Sequence, residues 1–310
     1  MRSDIAVVGA DGVVGSTLAA AVGGYRVLHG SPRGAPREVM IRDAQEPIRS
    51  SGVVFNSQGL RQMGGLSAAQ FRQSHVDSTR SLVEAMSPGA TLVHISSASV
   101  LGLPSGRGPH RPAPAAFPMP DYATVKLEAE QLAIAEGVRR GLAVVVLRLT
   151  VVNTDPLDGM LKTLVTQARR GVLLDLRPHA SVHHFCSGAL LGEVAKQVAS
   201  RNWPVGAAQI FTVGDPFVVS NAELAHDVSR RWRTWLRVPL WAGSTAWALR
   251  RGSSVLRTRR GAAAARVLGV IGMNVAYDVD ATYEALGLDR AAFSKTATFD
   301  RVLDAEATRG

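Results

Sequence analysis

Tyr122 and Lys126 are the residues of this sequence best placed to do acid–base chemistry. They are four positions apart in a stretch with helical composition, so we expect them on one helix face, one turn from each other. A free tyrosine has a pKa of about 10, too high for ready proton exchange at neutral pH. An ammonium group one turn away stabilises the phenolate and lowers that pKa. The pair is therefore a candidate proton donor and acceptor for a substrate oxygen.

A serine hydroxyl follows a predicted strand of the sheet. Residues 91–95 predict a buried strand because they are apolar and β-branched, and Ser97 follows at its carboxyl end. Open α/β sheets bind their ligands at the carboxyl ends of the strands. We therefore expect Ser97 at the edge of the sheet where ligands bind.

The N-terminal residues predict an element that binds a cofactor. Residues 5–8 are apolar, and a turn with three glycines leads from them into an alanine-rich stretch, which predicts strand, tight turn and helix. Gly9 allows the sharp turn, Gly12 leaves space for a pyrophosphate, and Gly15 allows the helix to pack closely on the strand. The free N–H groups at the helix N-terminus then face the phosphates. The turn residues expected at the cofactor are Gly9, Asp11, Gly12, Val13 and Gly15.

Strands and helices alternate along the rest of the chain. Further strands are predicted at 25–28, 39–41, 52–56, 141–148, 182–187 and 208–215, and helices at 67–86, after a cap at Asp121, and near 160–170. The predicted fold class is α/β, a Rossmann-type doubly wound parallel sheet with a smaller C-terminal substrate lobe. The dinucleotide-binding domain is expected at 1–154, completed by about 187–215, and the substrate-binding lobe at 155–186 and 216–310.

Together these motifs resemble the extended short-chain dehydrogenase/reductase family, with its NAD(P)-dependent epimerases, dehydratases and 3β-hydroxysteroid dehydrogenases. The matching patterns are Gly-x-x-Gly-x-x-Gly, the Ser-Ser strand end and Tyr-x-x-x-Lys. The resemblance implies that Ser97, Tyr122 and Lys126 are catalytic and that Lys126 also holds the nicotinamide ribose. It implies a homodimer as well. The other cofactor contacts that it implies are Asp43, Ser57 and Thr150.

The chain departs from the family pattern at several positions. Leu101 replaces a tyrosine, His75 stands at an asparagine position and is interpreted as a helix-core histidine, and Ser187 replaces an acid before a helix. Val151 stands where sugar-nucleotide enzymes of the family carry an asparagine for the substrate diphosphate, and Asn153 falls on a tyrosine. These departures argue against a nucleotide sugar as the substrate.

The end of the second strand bears on the choice of cofactor. NAD-selective sites place an Asp or Glu there to bind the ribose 2′-hydroxyl. This chain has His-Gly-Ser-Pro-Arg at 29–33, with no acid to repel a 2′-phosphate, and Ser31 and Arg33 are able to bind one. The sequence therefore predicts NADP, with NAD as the alternative.

The net charge of +10 comes from one segment. Residues 230–266 contain ten arginines, four tryptophans and no acid. Such a segment can contact a membrane surface, a nucleic acid or an anionic substrate. We favour a solvated helical face with its tryptophans turned inward. We expect a small-molecule substrate and no nucleic-acid partner, with peripheral membrane contact through 230–266 as the less favoured alternative.

The sequence gives no indication of a disulfide, a metal site or a membrane span. Cys186 is the single cysteine, so no internal disulfide forms, which fits a reducing, cytoplasmic setting. His183 and His184 are adjacent in a predicted strand and point to opposite faces, so we expect no metal site. No uncharged apolar run reaches the length of a membrane span.

Our leading interpretation is an NADP-dependent ketone reductase or alcohol dehydrogenase in which Tyr122 is the acid and base. It moves a hydride between nicotinamide and the carbonyl or alcohol of a small molecule, which the four tryptophans suggest is bulky and apolar. One alternative is a nucleotide-sugar epimerase or dehydratase with bound NAD, although Val151 and His183 stand near the places where its diphosphate ligands are expected. The other is a non-catalytic NADP-binding regulatory protein, against which the set of Ser97, Tyr122 and Lys126 argues.

Overall fold

The computed structural model describes residues 4–27, 45–60, 68–102, 112–113, 120–157, 159–241 and 274–309. The strands are β1 (Ile5–Val8), β2 (Tyr25–Val27), β3 (Val53–Asn56), β4 (Thr91–Ser97), β5 (Ala143–Leu149), β6 (Val151–Asn153), β7 (Val172–Arg177), β8 (Val182–Ser187), β9 (Ala208–Val213), β10 (Val218–Ser220) and β11 (Leu236–Trp241). The helices are α1 (Val13–Val22), α2 (Gln45–Ser50), α3 (Ala68–Arg72), α4 (Ser78–Ala85), α5 (Pro120–Arg139), α6 (Gly159–Arg169), α7 (Gly188–Ser200), α8 (Asn221–Arg231), α9 (Asp280–Leu286) and α10 (Arg301–Thr308). Turns of 3-10 helix cover Ala98–Leu101 and Ala291–Phe293, and turns of π-helix cover Gln73–Asp77 and Thr296–Asp300.

A six-stranded parallel sheet stands at the centre of the described residues. Its strand order is β2-β1-β3-β4-β5-β9. The order reverses at β1, whose neighbours are β2 on one side and β3 on the other. In open α/β sheets, ligands bind outside the carboxyl ends of the strands at such a reversal. The predicted fold class, a Rossmann-type α/β sheet, is confirmed.

Successive residues of the central strands pack into two different cores. Val144 and Val146 of β5 face the core that includes residues of α2, α4 and α5. Val145 and Leu147 face the core that includes residues of α1, α7 and α9. Because side chains alternate between the faces of a strand, burial on both faces requires apolar residues at every position.

A third core lies outside the central sheet. Strands β10, β8 and β6 form a three-stranded sheet, and β11 pairs with β7 in parallel. Their apolar side chains join those of α6, α8 and α10 around Phe185, Leu224 and Phe299. Strand β8 contributes to two cores, because Phe185 belongs to this third core and Cys186 belongs to the core that includes residues of α1, α7 and α9.

Two helices differ in detail from the prediction. Helix α5 begins at Pro120, so Asp121 lies in its first turn and not at its N-cap. The helix predicted at 67–86 is interrupted by the π-helical turn Gln73–Asp77 between α3 and α4. The strand predicted at 39–41 lies outside the described residues.

The arginine- and tryptophan-rich segment is described as far as Trp241. Trp232 is buried in the third core, whereas Trp235 and Trp241 are 77% and 55% exposed. The expectation of a helical face with inward tryptophans is therefore wrong for these two. Trp235 precedes β11, and Trp241 ends this strand of a two-stranded sheet. Arg231 pairs with Asp300 and Asp304. No helix in the described ranges is both long and apolar enough to cross a membrane.

Candidate active site

The glycine turn after β1 has the shape that the sequence predicts. Gly9 has a φ of +81°, and its N–H donates to the Val27 carbonyl at 2.9 Å. A Cβ on Gly15 would lie 2.0 Å from the Gly9 oxygen, so packing inside the turn requires glycine there. A Cβ on Gly12 would meet the Gly9 oxygen at 3.4 Å and no other atom of the described residues within 4 Å. Gly12 and Asp11 are exposed and Val13 is half-buried, so the N-terminus of α1 is open to a ligand.

Ser57 helps to build this turn. Its Oγ–H donates to the Val8 carbonyl at 2.7 Å, and its backbone N–H donates to the same oxygen at 3.0 Å. These bonds join the end of β3 to the end of β1. The hydroxyl is thus engaged with the protein, and the contact of Ser57 with a cofactor stays a prediction.

Helix α5 brings Lys126 to the carboxyl half of β4. The Lys126 Nζ donates to the Ile95 carbonyl at 2.7 Å, and the side chain is buried. Burial lowers the pKa of Lys126 to about 8, and the negative charge of Glu130 opposes that change. Tyr122 lies one turn earlier on the same helix, half-buried, with its ring centroid 5.8 Å from that of Phe71.

Ser97 ends β4, two residues beyond the carbonyl that Lys126 binds. Its Oγ accepts hydrogen bonds from the N–H and the Oγ–H of Ser99, at 3.3 Å and 2.9 Å. A serine hydroxyl has two acceptor positions and one donor hydrogen. With both acceptor positions used, the Ser97 hydroxyl is suited to donate to a substrate oxygen.

Two buried polar atoms at the carboxyl end of the sheet are in the place where a dinucleotide cofactor would bind. Gln58 Nε2, after β3, and Thr150 Oγ1, after β5, are buried and have no hydrogen-bond partner among the described residues. A buried polar atom without a partner destabilises a fold by about 1–3 kcal/mol. A polar ligand at this edge would satisfy such atoms, and the open turn at Gly12 leaves room for its phosphates. The residues present therefore fit a dinucleotide cofactor.

A model of the NAD dependent epimerase/dehydratase family matches residues 5–176. This chain belongs to the NAD-dependent epimerase/dehydratase family. The predicted relationship to the extended short-chain dehydrogenase/reductases is thereby confirmed. No protein of curated function matches the sequence.

Solved structures show the same fold for this family member. MoeE5 in complex with UDP-glucuronic acid and NAD superposes with a TM-score of 0.70 at 18% identity, covering 99% of each chain. UDP-glucuronic acid 4-epimerase from Bacillus cereus, in complex with UDP-glucuronic acid and NAD, gives a TM-score of 0.71 at 16% identity over 98% of each chain. RMD from Pseudomonas aeruginosa complexed with NADPH gives 0.68 at 16% identity over 99% of each chain.

Three residues predicted to bind a cofactor in this family member lie outside the described residues. They are Ser31, Arg33 and Asp43.

A buried polar layer lies behind Lys126 and was not predicted. Asn56 Nδ2 donates to Thr79 Oγ1 at 3.1 Å and lies 3.2 Å from His94 Nδ1. Burial, together with the charges of Lys126 and His75, holds the pKa of His94 well below its ordinary value, so its imidazole is neutral. The one sequence signal for this layer is a histidine within an otherwise apolar strand.

The adjacent histidines of β8 are both engaged with protein atoms. His183 Nε2 lies 2.8 Å from Asn221 Oδ1, and His184 Nε2 donates to the Asp215 carbonyl at 2.7 Å. Burial lowers the pKa of both imidazoles. Within the described ranges, no three His, Cys, Asp or Glu side chains are arranged to hold a metal ion.

A carboxylate from beyond the end of β9 lies beside Ser187, the residue that precedes α7. Ser187 Oγ caps the helix by accepting from the Leu190 N–H. Asp215, two residues beyond the end of β9, accepts from the Ser187 Oγ–H at 2.7 Å and from its N–H at 3.1 Å. Burial raises the pKa of the Asp215 carboxyl to about 7, although the bonds from Ser187 act in the opposite direction.

Proposed function

We propose that this chain is an epimerase or dehydratase that acts on a nucleotide-activated sugar with bound NAD. The observation that supports its chemistry is the hydrogen bond from buried Lys126 to the Ile95 carbonyl. This bond holds the amino group of Lys126 against β4, two residues before Ser97. Tyr122 lies one turn earlier on the helix that carries Lys126. The substrate class is supported by family membership and by the UDP sugars in two structures of the same fold.

The proposed roles follow from the chemistry of the three side chains. Tyr122, as phenolate, takes the proton of a substrate hydroxyl and later returns it, so the residue is unchanged over a cycle. Lys126 stabilises the phenolate by its charge and holds the nicotinamide ribose. Ser97 donates a hydrogen bond to the same substrate oxygen and stabilises the charge that develops on it. When bound, the nicotinamide supplies the hydride acceptor and donor.

NAD is the cofactor that we infer, in place of the NADP predicted from Ser31 and Arg33. The family is one of NAD-dependent enzymes, and two of the three structures described above contain NAD. The third contains NADPH, so the choice is tested directly by titration with both. Gly9, Asp11, Gly12, Val13 and Gly15 remain the residues that we propose for the pyrophosphate and its surroundings.

The ketone reductase of the sequence interpretation is the second candidate. Val151, where sugar-nucleotide enzymes are expected to carry an asparagine, is 38% exposed, and its side chain offers no hydrogen bond to a diphosphate. His183 is buried against Asn221. Both observations favour a substrate without a diphosphate. The comparisons favour the nucleotide sugar, which is why the reductase stands second.

The two candidates differ in their redox balance. An epimerase or dehydratase returns its hydride, so incubation with a nucleotide sugar and NAD should change the anomeric proton signals in NMR with no net accumulation of NADH. We expect Tyr122→Phe to lower this turnover by about 10²-fold or more, because the phenylalanine cannot exchange a proton. Tyr25→Phe, a change at an exposed residue, is the matched control and should have no effect.

Two outcomes contradict this proposal. Full turnover by Tyr122→Phe would exclude the assigned acid and base. Consumption of NADPH with a bulky ketone, without conversion of any nucleotide sugar tested, would favour the reductase.

A further inference from the structure

A buried ion pair lies directly behind Lys126. Glu130 of α5 and Arg148 of β5 are both buried, and Arg148 Nη2 donates to Glu130 Oε1 at 2.5 Å. Arg148 Nε lies within 3.2 Å of both carboxylate oxygens. The Ser96 Oγ–H donates to Glu130 Oε2 at 2.6 Å. The carboxylate is therefore bonded from two strands of the central sheet.

This arrangement attaches two successive turns of α5 to neighbouring residues of β4. Lys126 binds the carbonyl of Ile95, and Glu130, one turn later, binds the hydroxyl of Ser96. Ser96 and Arg148 are partners in the register of β4 and β5, so the carboxylate joins the helix to both strands at one level of the sheet. Any sliding of α5 along β4 would break both sets of bonds.

In the described part of the chain, the titratable groups around Lys126 lie on its own helix and on three elements near it. On α5 they are Tyr122 and Glu130. On the elements packed against α5, they are His94 of β4, Arg148 of β5 and, beyond His94, His75 of the π-helical turn. His94 is neutral, so Glu130 is the anion whose charge raises the proton affinity of Lys126. Arg148 in turn neutralises part of that charge.

We propose that Glu130 and Arg148 are positioning residues of the reaction, which together hold Lys126 at β4 and set its state of protonation. Neither residue needs to contact substrate or cofactor. The kinetic consequence rests on the proposed function, whereas the effect on the lysine is a property of the folded chain alone.

Removing one or the other member of the pair should change the proton affinity of Lys126 in opposite directions. In Glu130→Gln the anion is lost and the positive charge of Arg148 is unopposed, so the ammonium form of Lys126 is disfavoured. In Arg148→Gln the carboxylate is no longer neutralised, so the ammonium form is favoured. The double variant removes both charges, and its lysine should titrate between those of the two single variants. If the ion pair had only a structural role, the two single variants would not change the proton affinity of Lys126 in opposite directions.

The experiment uses the small number of lysines in the chain. There are four, Lys126, Lys162, Lys196 and Lys295, so protein labelled with ¹³C and ¹⁵N in lysine gives four side-chain signals. The Lys126 signal is identified by its absence in Lys126→Met. In the full chain without added ligand, its midpoint should fall by about one pH unit or more in Glu130→Gln and rise by about one or more in Arg148→Gln.

Controls separate this effect from general destabilisation. Glu136→Gln breaks an exposed ion pair with Arg139 on the same helix and should leave the titration midpoint of Lys126 unchanged. The other three lysines are internal references in every spectrum. Where Glu130→Gln does not fold, as judged by circular dichroism, Arg148→Gln and the double variant still decide the question.

Several results would overturn the proposal. One is an unchanged titration midpoint of Lys126 in Arg148→Gln. Another is a midpoint that moves in the same direction in both single variants. A third is a midpoint in the double variant that lies outside the range between the two single variants. In an active enzyme, the pH limb of kcat that reports Lys126 should move with the NMR midpoint. Opposite NMR changes in a protein that turns over no sugar would contradict the proposed function while supporting the role of the ion pair.

Discussion

Asp215 shows how much one side chain can depend on a distant partner. Its carboxylate is buried beside Ser187, at the N-terminus of α7, where the partial positive charge of the helix favours an anion. Burial nevertheless prevails and raises its pKa to about 7. The folded state therefore holds a proton that the unfolded state releases at about pH 4.

We expect Asp215 to make the stability of the protein fall as pH rises from about 4 to about 7. Its folded pKa is above its unfolded one, so the contribution is fully present below the unfolded pKa and is lost as pH rises through the folded pKa. The loss is on the order of 4 kcal/mol, because a tenfold difference in proton affinity between the two states corresponds to about 1.4 kcal/mol. Asp215→Asn cannot ionise, so its free energy of unfolding should vary less between pH 5 and pH 8 than that of the unaltered protein.

Urea unfolding at the two pH values measures this difference. Asp278→Asn, at an exposed carboxylate, is the control and should keep the pH dependence of the unaltered protein. An Asp215→Asn protein with the same pH dependence as the unaltered one would show that burial does not control this carboxyl group.

At the scale of elements, the turn from β1 to α1 separates two uses of glycine. Gly15 is required by the protein, since a Cβ there would overlap the backbone of Gly9. Gly12 has a φ of −76°, and a Cβ there would come no closer than 3.4 Å to any described atom, so alanine fits its backbone and its surroundings. Its small size is of use only to a ligand.

Two alanine variants test this distinction. Gly15→Ala should destabilise the protein by about 1–3 kcal/mol or more, because the backbone must move. Gly12→Ala should retain the stability of the unaltered protein and weaken the binding of NADH by at least about tenfold, which is about 1.4 kcal/mol. Thermal unfolding and a fluorescence titration with NADH measure the two effects. A Gly12→Ala protein with unchanged affinity would place the pyrophosphate elsewhere.

At the scale of the whole molecule, the C-terminal part of the chain supports the turn that follows Ser97. Tyr277 Oη donates to the Gly102 carbonyl at 3.1 Å, and its ring packs in a small core with Val100 and Leu101. Its N–H donates to His184 Nδ1 at 3.1 Å. The departure at Leu101 thus lies beside a tyrosine supplied from a distant part of the chain.

Tyr277→Phe should therefore affect both stability and catalysis. We expect a loss of about 0.5–1.5 kcal/mol for the hydrogen bond, and a reduced kcat because Ser97 is less well held. Tyr283→Phe removes a similar bond, to the Gly214 carbonyl, and is the matched control. Its stability should fall to a similar extent with a smaller change in kcat. Equal kcat values in the two variants would show that the C-terminal segment does not position Ser97.

The sequence alone determined the parts of this protein that depend on local spacing. Short continuous runs of apolar residues predicted the strands of the central sheet, and the glycine turn and the Tyr-x-x-x-Lys pattern predicted the family. The helix start at Ser220 follows the same rule, since Ser220 and Glu223 form a capping box within one turn. Such patterns can be read directly because their partners are three or four residues apart.

Only the tertiary structure decided which distant groups meet. The bonds of Glu130 to Ser96 and Arg148, of Ser187 to Asp215, and of Tyr277 to Gly102 join residues that no local pattern connects. Each forms because the packing of separate elements brings distant residues together in the interior, where a buried polar group must find a partner. For the same reason, the departures from the family pattern at Ser187 and Leu101 could be seen in the sequence, whereas the residues that contact them could not.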